Sequence, residues 1–204
     1  MNNEEYFFHA HFSQKFIWHK DLSFHLGTVR PENKKQFAEG LKKLSRESIR
    51  NRFLGSKKEF SENELSYLTQ LDGHNHYALG LELAEKPHDG IGVVRLVRSE
   101  IFENEAEVAI TVIDEYHGKG LGYLLMQCAA LAAMERKIEK LHFSFLPQND
   151  GIIRLMSKLG PVNQGFQSMD YVQNYINTSD INLAKIKSQL RPFLPSIDTF
   201  HSKI

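Results

Sequence analysis

The sequence predicts an α/β protein with a mixed central sheet and helices on both faces, and three observations predict it. Strand-like runs at Tyr77 to Leu83, Ile91 to Val97 and Ala106 to Ile113 follow one another with only turns or a short acidic loop between them. The pattern then changes to helix, strand, helix at Leu121 to Met134, Leu141 to Leu146 and about Gly151 to Leu159. Finally, 204 residues that are 41% hydrophobic are enough for one well-buried core, and no Pro/Gly/Ser-rich linker divides them.

Taken in order, Leu26 to Val29 ends a short strand, and Pro31 opens a helix toward Leu44, because a first helical position has no use for the missing N–H. Ser45 restarts a turn or helix through Phe53. Ser61-Glu-Asn-Glu64 reads as a capping box before Leu65, Leu68 and Leu71, which share one face. Lys86-Pro-His-Asp-Gly90 is a hairpin turn, so the pair Gly90 and Gly92 belongs to that turn. The helix after the third strand run places Leu121, Leu124, Leu125, Cys128, Leu131 and Ala132 on one stripe. Residues 162–177 supply the last one or two strands, and Asp180 caps a helix through Leu190.

This gives three parts. Residues 1–27 form an extension in which Phe7, Phe8, Phe12, Phe16 and Trp18 stand among His9, His11, His19 and His25, an added strand or cover. Residues 28–177 form the main domain, and 178–204 a helical extension.

Composition narrows the partners. Lys plus Arg and Asp plus Glu both number 25, so the overall field favours neither nucleic acid nor an anionic membrane. The lone Cys128 excludes an internal disulfide. The start Met1-Asn-Asn-Glu-Glu-Tyr lacks the features of a signal peptide, and no run approaches the ~18 apolar residues of a membrane span, so the expected compartment is the cytoplasm.

The densest chemical signal is Ile110-Thr-Val-Ile-Asp-Glu-Tyr-His-Gly-Lys-Gly-Leu-Gly122, a β-branched strand that turns through three glycines into an apolar helix. That order sets a row of uncommitted N–H groups at a helix N-terminus, a place to hold a pyrophosphate. A dinucleotide fold would need glycine where Leu125 stands and an acid where Phe145 and Leu146 stand. A Walker loop would need Ser or Thr where Gly120 stands.

With those alternatives removed, the chain resembles the GCN5-related N-acetyltransferase (GNAT) superfamily, whose acetyl-CoA loop reads Gln/Arg-x-x-Gly-x-Gly/Ala. Here it reads His117-Gly-Lys-Gly120-Leu-Gly122. Asn149-Asp-Gly-Ile-Ile-Arg-Leu-Met-Ser-Lys-Leu-Gly160 is similar to a later motif of that family, with Pro161 in place of its Phe. Arg30-Pro-Glu, Leu44 to Phe53, Ser61 to Leu71 and Asp72 are similar to the acetyltransferase domain of bacterial Pat-type protein-lysine acetyltransferases. The resemblance covers about residues 28 to 160 and implies the GNAT fold, acetyl-CoA as cosubstrate, no metal, and transfer to an amine, here a protein lysine.

The resemblance also implies a set of site residues. The amides of Gly118, Lys119, Gly120, Leu121 and Gly122, running on to Tyr123, would receive the pyrophosphate. A Cβ at Gly120 or Gly122 would crowd the phosphates, and Lys119 adds a cation. The backbone of Val112 and Ile113 would flank the pantetheine arm and polarise the thioester. His117 replaces the usual Gln or Arg and has no catalytic role. Asn149 either meets the CoA arm or simply caps the next helix. The family's acidic Tyr would fall at Leu155 or Met156, so thiolate protonation passes to water or another group or is dispensable, a departure that also admits a non-catalytic CoA binder.

A lysine of pKa near 10.4 is neutral about once in two to three thousand molecules at pH 7, a cost of roughly 4.6 kcal/mol that a base relieves. Glu107 is the candidate, since it lies five residues before Val112 on the same strand, where the resemblance implies a Glu acting directly or through water. It shares a strand face with Ala109, Thr111 and Ile113, and an acid on such an apolar face would have a raised pKa. Glu105 reads as loop, while Asp72 and His74 either border the acceptor cleft or cap a turn. His9 with His11 and His74 with His76 lack the Cys or carboxylate partners of a metal site. Cys128 reads as a core thiol.

Overall fold

The computed structural model describes residues 6–18 and 22–201; His19 lies outside them. One sheet of eight strands runs through the molecule in the order β1 (Ser13–Trp18), β2 (Leu22–Thr28), β3 (His76–Leu83), β4 (Gly90–Arg98), β5 (Glu105–Val112), β6 (Lys140–Phe145), β8 (Val172–Asn177) and β7 (Asn163–Gln167). Every pairing is antiparallel except β5 with β6. The mixed α/β architecture expected from the sequence is present.

Three short helices precede β3. Pro31–Asn33 forms a 3-10 turn before α1 (Lys34–Lys42), where one helix from Pro31 was expected. Ser45 caps α2 (Arg46–Phe53) through a hydrogen bond from the Ser48 amide. Ser61 and Glu64 form the expected capping box of α3 (Glu62–Thr69). That helix stops before Leu71, and the buried Thr69 hydroxyl donates back to the Leu65 carbonyl at 2.7 Å. The hairpin turn lies before Gly90, with His88 at φ 72°, and Gly90 and Gly92 both belong to β4.

The register sorts the sheet into two faces. His25, Gly27, Gly80, Val93, Arg95, Glu107, Ala109 and Thr111 point toward α1, α2 and α3; Leu26, Leu79, Val94 and Val108 point the other way, onto α4 (Leu121–Glu135). A β-carbon on Gly92 would meet Leu125 of α4 at 3.1 Å, which fixes the side on which α4 lies. Beside α4 packs α5 (Asp150–Leu159).

The single apolar stripe expected on α4 is too narrow a description, because residues 124–135 are buried on every side. The outer face is covered by the two ends of the chain. Glu135 accepts from the amides of Phe7 and Phe8, and Arg136 donates to the Phe8, Gly73 and Ala132 carbonyls at 3.0, 2.8 and 2.9 Å. The Arg136 guanidinium lies between the rings of Tyr6 and Tyr77, 4.4 and 3.9 Å from their centroids. On the C-terminal side, Gln127 donates to Gln189 of α6 (Leu183–Leu190) at 2.6 Å. The cap of α6 is Asn182, which accepts from the Lys185 amide; Asp180 instead accepts from Asn177. Asp180 ends a 3-10 turn of its own, two residues too early to cap.

Candidate active site

Strands β5 and β6 are paired only at Glu105 with Lys140, Ala106 with Leu141 and Glu107 with His142. Beyond that point they diverge, because β6 is held along its whole length by β8 and β5 by β4. The divergence opens a groove of about 480 Å³ between them, lined by Val108 to Val112 on one side and Phe143 to Phe145 on the other. The glycine loop and the start of α4 close one end of the groove, and Asn149 and α5 form its margin.

The loop has the geometry its composition predicts. Gly118 and Gly120 adopt φ of 72° and 84°, conformations that cost a residue with a Cβ roughly 1–2 kcal/mol. Gly120 is also the N-cap of α4. Among the described residues, the main-chain N–H groups of residues 118–122 have no hydrogen-bond partner. Five donors in sequence at the positive end of a fifteen-residue helix make an anion site.

Two of the glycines also lie close to neighbouring side chains. A Cβ on Gly120 would press against the Trp18 ring at 3.2 Å, and one on Gly122 would reach Leu155 at 3.4 Å. Both positions therefore serve close packing around the loop. Leu121, at the start of α4, is buried beside the groove. Lys119 holds its ammonium over the Tyr116 ring at 4.6 Å, and Tyr123 donates to the Lys158 carbonyl at 3.0 Å, tying α4 to α5.

His117 turns back on the strand: its Nε2 bonds the Val112 carbonyl at 2.7 Å, clamping the strand end to the loop. Ile113 is buried, and its amide donates to the Ile91 carbonyl at 2.9 Å. The Asn149 side chain accepts from the Ile152 amide at 3.3 Å, so it caps α5 while also lining the groove. Leu155 and Met156 offer no proton to a leaving thiolate.

Glu107 sits on the groove wall where β5 and β6 part, on the face that carries Ala109 and Thr111. It is exposed, so the apolar enclosure expected from its strand neighbours does not surround it. Its charge acts on Arg52 of α2: burial pushes the Arg52 guanidinium below the usual arginine range, and Glu107 works against that shift. Arg52 lines the same groove.

Glu105 is strand rather than loop, and it is committed elsewhere. Burial pushes its carboxyl up, but hydrogen bonds from Lys140 and His142, both at 2.7 Å, outweigh this and hold it below the usual range. Asp72 accepts from the amides of His74, Asn75 and His76, each at 2.8 Å, as a turn cap. His74 bonds the Tyr6 hydroxyl at 3.1 Å, while His76 bonds Arg95, so the two imidazoles part company. Neither Asp72 nor His74 lines the groove. Burial pushes the Cys128 thiol up, as expected of a core thiol.

Three features of the site were not found in the sequence. Arg154 and Lys158, one turn apart on α5, bring two cations to the groove near the loop. Asp114, to which the sequence assigns no role, anchors α2: it accepts from the Ser45 amide and hydroxyl and the Ser48 hydroxyl at 2.9, 2.6 and 2.9 Å. That anchor fixes the helix that carries Arg52. The third is Trp18, whose indole donates to the Lys119 carbonyl.

The strand that diverges from its parallel neighbour beside a glycine-turned helix N-terminus thus leaves an open groove with an anion site at one end. Residues 28–162 match the family model of the acetyltransferase (GNAT) domain, and the chain belongs to that family. It is 29% identical over 146 residues to the acetyltransferase Pat of Mycolicibacterium smegmatis, an alignment covering 68% of this chain and 41% of that protein. The chain thus spans about two fifths of that relative. Among solved structures, the GNAT domain of S. lividans PAT superposes with a TM-score of 0.72 at 20% identity, covering 81% of this chain and 96% of that one. Spermidine N-acetyltransferase from Vibrio cholerae, solved with CoA and spermine, superposes with a TM-score of 0.59 at 19% identity, covering 77% and 96%. At these identities the structures speak for the fold.

Proposed function

We propose that this chain is an acetyl-CoA-dependent N-acetyltransferase that acetylates a protein lysine by direct attack within a ternary complex. The observation that carries the reading is the row of five unpartnered amides at the start of α4, opening onto a groove that has Glu107 on its wall. The amides, with Lys119, Arg154 and Lys158 nearby, hold the pyrophosphate. The pantetheine arm lies against the free edge of β5 near Val112. Glu107 takes the proton from the lysine Nζ, directly or through water. The nitrogen bonds to the carbonyl carbon, the carbon–sulfur bond breaks, and the nitrogen's second proton passes through water to the departing thiolate.

The exposure of Glu107 favours an amine delivered on a macromolecule, since a lysine side chain reaches the base from outside without the whole acceptor being enclosed. The likeness to a protein named acetyltransferase Pat points the same way. Such an enzyme works where acetyl-CoA and protein lysines meet, the cytoplasm. Among the described residues no helix is long and apolar enough to cross a membrane.

The test is release of CoA from acetyl-CoA with a panel of acceptors. A folded, lysine-bearing protein should support turnover, while polyamines, aminoglycosides and free amino acids stay near background. The reverse pattern would transfer the assignment to a small-amine acetyltransferase. Tight CoA binding with no turnover on any acceptor would make the chain an acyl-CoA sensor.

A further inference from the structure

A second cavity, of about 150 Å³, lies under α1, α2 and α3 on the face of the sheet that bears Glu107. Its floor is low where the strands align: Gly27 of β2 pairs with Gly80 of β3, Gly80 with Val93 of β4, and Ala109 of β5 also lines it. Its roof is apolar, formed by Phe37, Leu41, Leu44, Phe53, Phe60 and Leu68. Of the charged groups in its wall, Glu82 and Arg95 are already engaged, and Arg52 stands where the cavity meets the groove. Glu82 is held by His25 at 3.0 Å and Gln36 at 2.6 Å, and the Arg95 guanidinium by His76 and by the Leu68 carbonyl at 2.6 Å.

This cavity adjoins the groove at Arg52, Ala109 and Thr111, which line both. Whatever enters there comes past the stretch of β5 beside which the thioester would rest. A lysine tethered to a protein ends at its amine and has no apolar group to send further. The acyl chain of the donor continues beyond its carbonyl. An apolar cavity of about this size holds benzene, six carbons.

The geometry points to a donor acyl chain longer than acetyl, of about four to eight carbons, seated between the Gly27–Gly80 floor and the α1–α3 roof. This rests on the reading of the groove as the acyl-CoA site. The enzyme would then transfer medium-chain acyl groups from CoA to its amine acceptor as well as acetyl.

Calorimetric titration of the full chain with CoA, acetyl-CoA and hexanoyl-CoA tests it without any acceptor. Hexanoyl-CoA should bind at least about tenfold more tightly than acetyl-CoA, a conservative share of what burial of four methylenes can contribute. Val93→Phe, which fills the cavity from the floor, and Leu68→Phe, which fills it from the roof, should each bring the two donors within about threefold and leave CoA affinity unchanged. Equal affinity for the two donors in the wild type, or a preference for hexanoyl-CoA that survives both folded variants, would overturn the proposal while the groove reading stands. Failure of CoA itself to bind would overturn both.

Discussion

The indole Nε1 of Trp18 donates to the carbonyl of Lys119 at 2.9 Å, and the edge of its ring stands 3.2 Å from where a β-carbon on Gly120 would lie. A strand near the start of the chain thus holds the loop that prepares the anion site. Trp18 packs in turn against Phe193, ring centroids 4.4 Å apart and planes tilted by 42°, so segments from the N-terminal and C-terminal extensions meet beside the loop. The loop's shape is therefore set by packing as well as by its glycines.

That relationship predicts the behaviour of ligand-induced stabilisation. Acetyl-CoA at a hundredfold excess over its Kd should raise stability by about 2.7 kcal/mol, or ~5–10 °C in melting temperature. Gly120→Glu, which puts a side chain into a left-handed position against Trp18 and a negative charge at the anion site, should abolish the shift. Trp18→Phe should keep the fold and weaken the shift by loosening the Lys119 carbonyl. Differential scanning fluorimetry with and without acetyl-CoA reads both, and a full shift in Gly120→Glu would remove the loop from the site.

The Asp114 anchor predicts an acid dependence. Burial raises its pKa, but the hydroxyl and amide of Ser45 and the Ser48 hydroxyl outweigh that, so the folded value lies below the usual 3.8. A depressed carboxylate stabilises the fold above its unfolded pKa, and the stabilisation is lost as pH falls through the folded pKa. Asp114→Asn should cost about 1 kcal/mol at pH 7, allowing for solvent screening of a half-exposed group. The difference from wild type should shrink below about pH 4. Urea melts at pH 7, 5 and 3 measure it, and a difference independent of pH would contradict the assignment.

Arg136 predicts the largest stability effect. Its guanidinium is buried, bonds three carbonyls and lies between two tyrosine rings. Arg136→Met should take the donor from those carbonyls and the neighbouring positive charge from Glu135, and cost about 3–5 kcal/mol. Because Phe7 and Phe8 dock on the same pair, limited proteolysis should then cut first near residues 6–12. Wild-type resistance there would show that the segment is held by its phenyl rings alone.

The sequence made the sheet, the capped helices and the glycine loop legible because each is a local pattern: alternation, a Ser-x-x-Glu box, glycines at a strand-to-helix turn. The burial of α4 on all sides was legible too, in Met126, Ala129, Ala130, Ala133 and Met134 outside the expected stripe, since a helix apolar all round is a covered helix. The contacts that finish the site were not. Trp18 and Lys119 are 101 residues apart, and Ser45 and Asp114 are 69 apart. No periodicity encodes such pairings. Glu107 was found through the family resemblance, and strand parity gave its face, but its exposure depends on where β5 and β6 part.

The central claim is that Glu107 is the base, and Glu107→Gln tests it most directly by keeping the side chain's shape while removing its basicity. With acetyl-CoA and an acceptor protein at pH 7, turnover should fall by roughly two to four powers of ten while acetyl-CoA affinity is retained. Part of the loss should return as pH rises and the lysine deprotonates unaided. A variant that keeps more than about a third of wild-type turnover across that pH range would contradict the account and leave Glu107 as a surface charge of the strand.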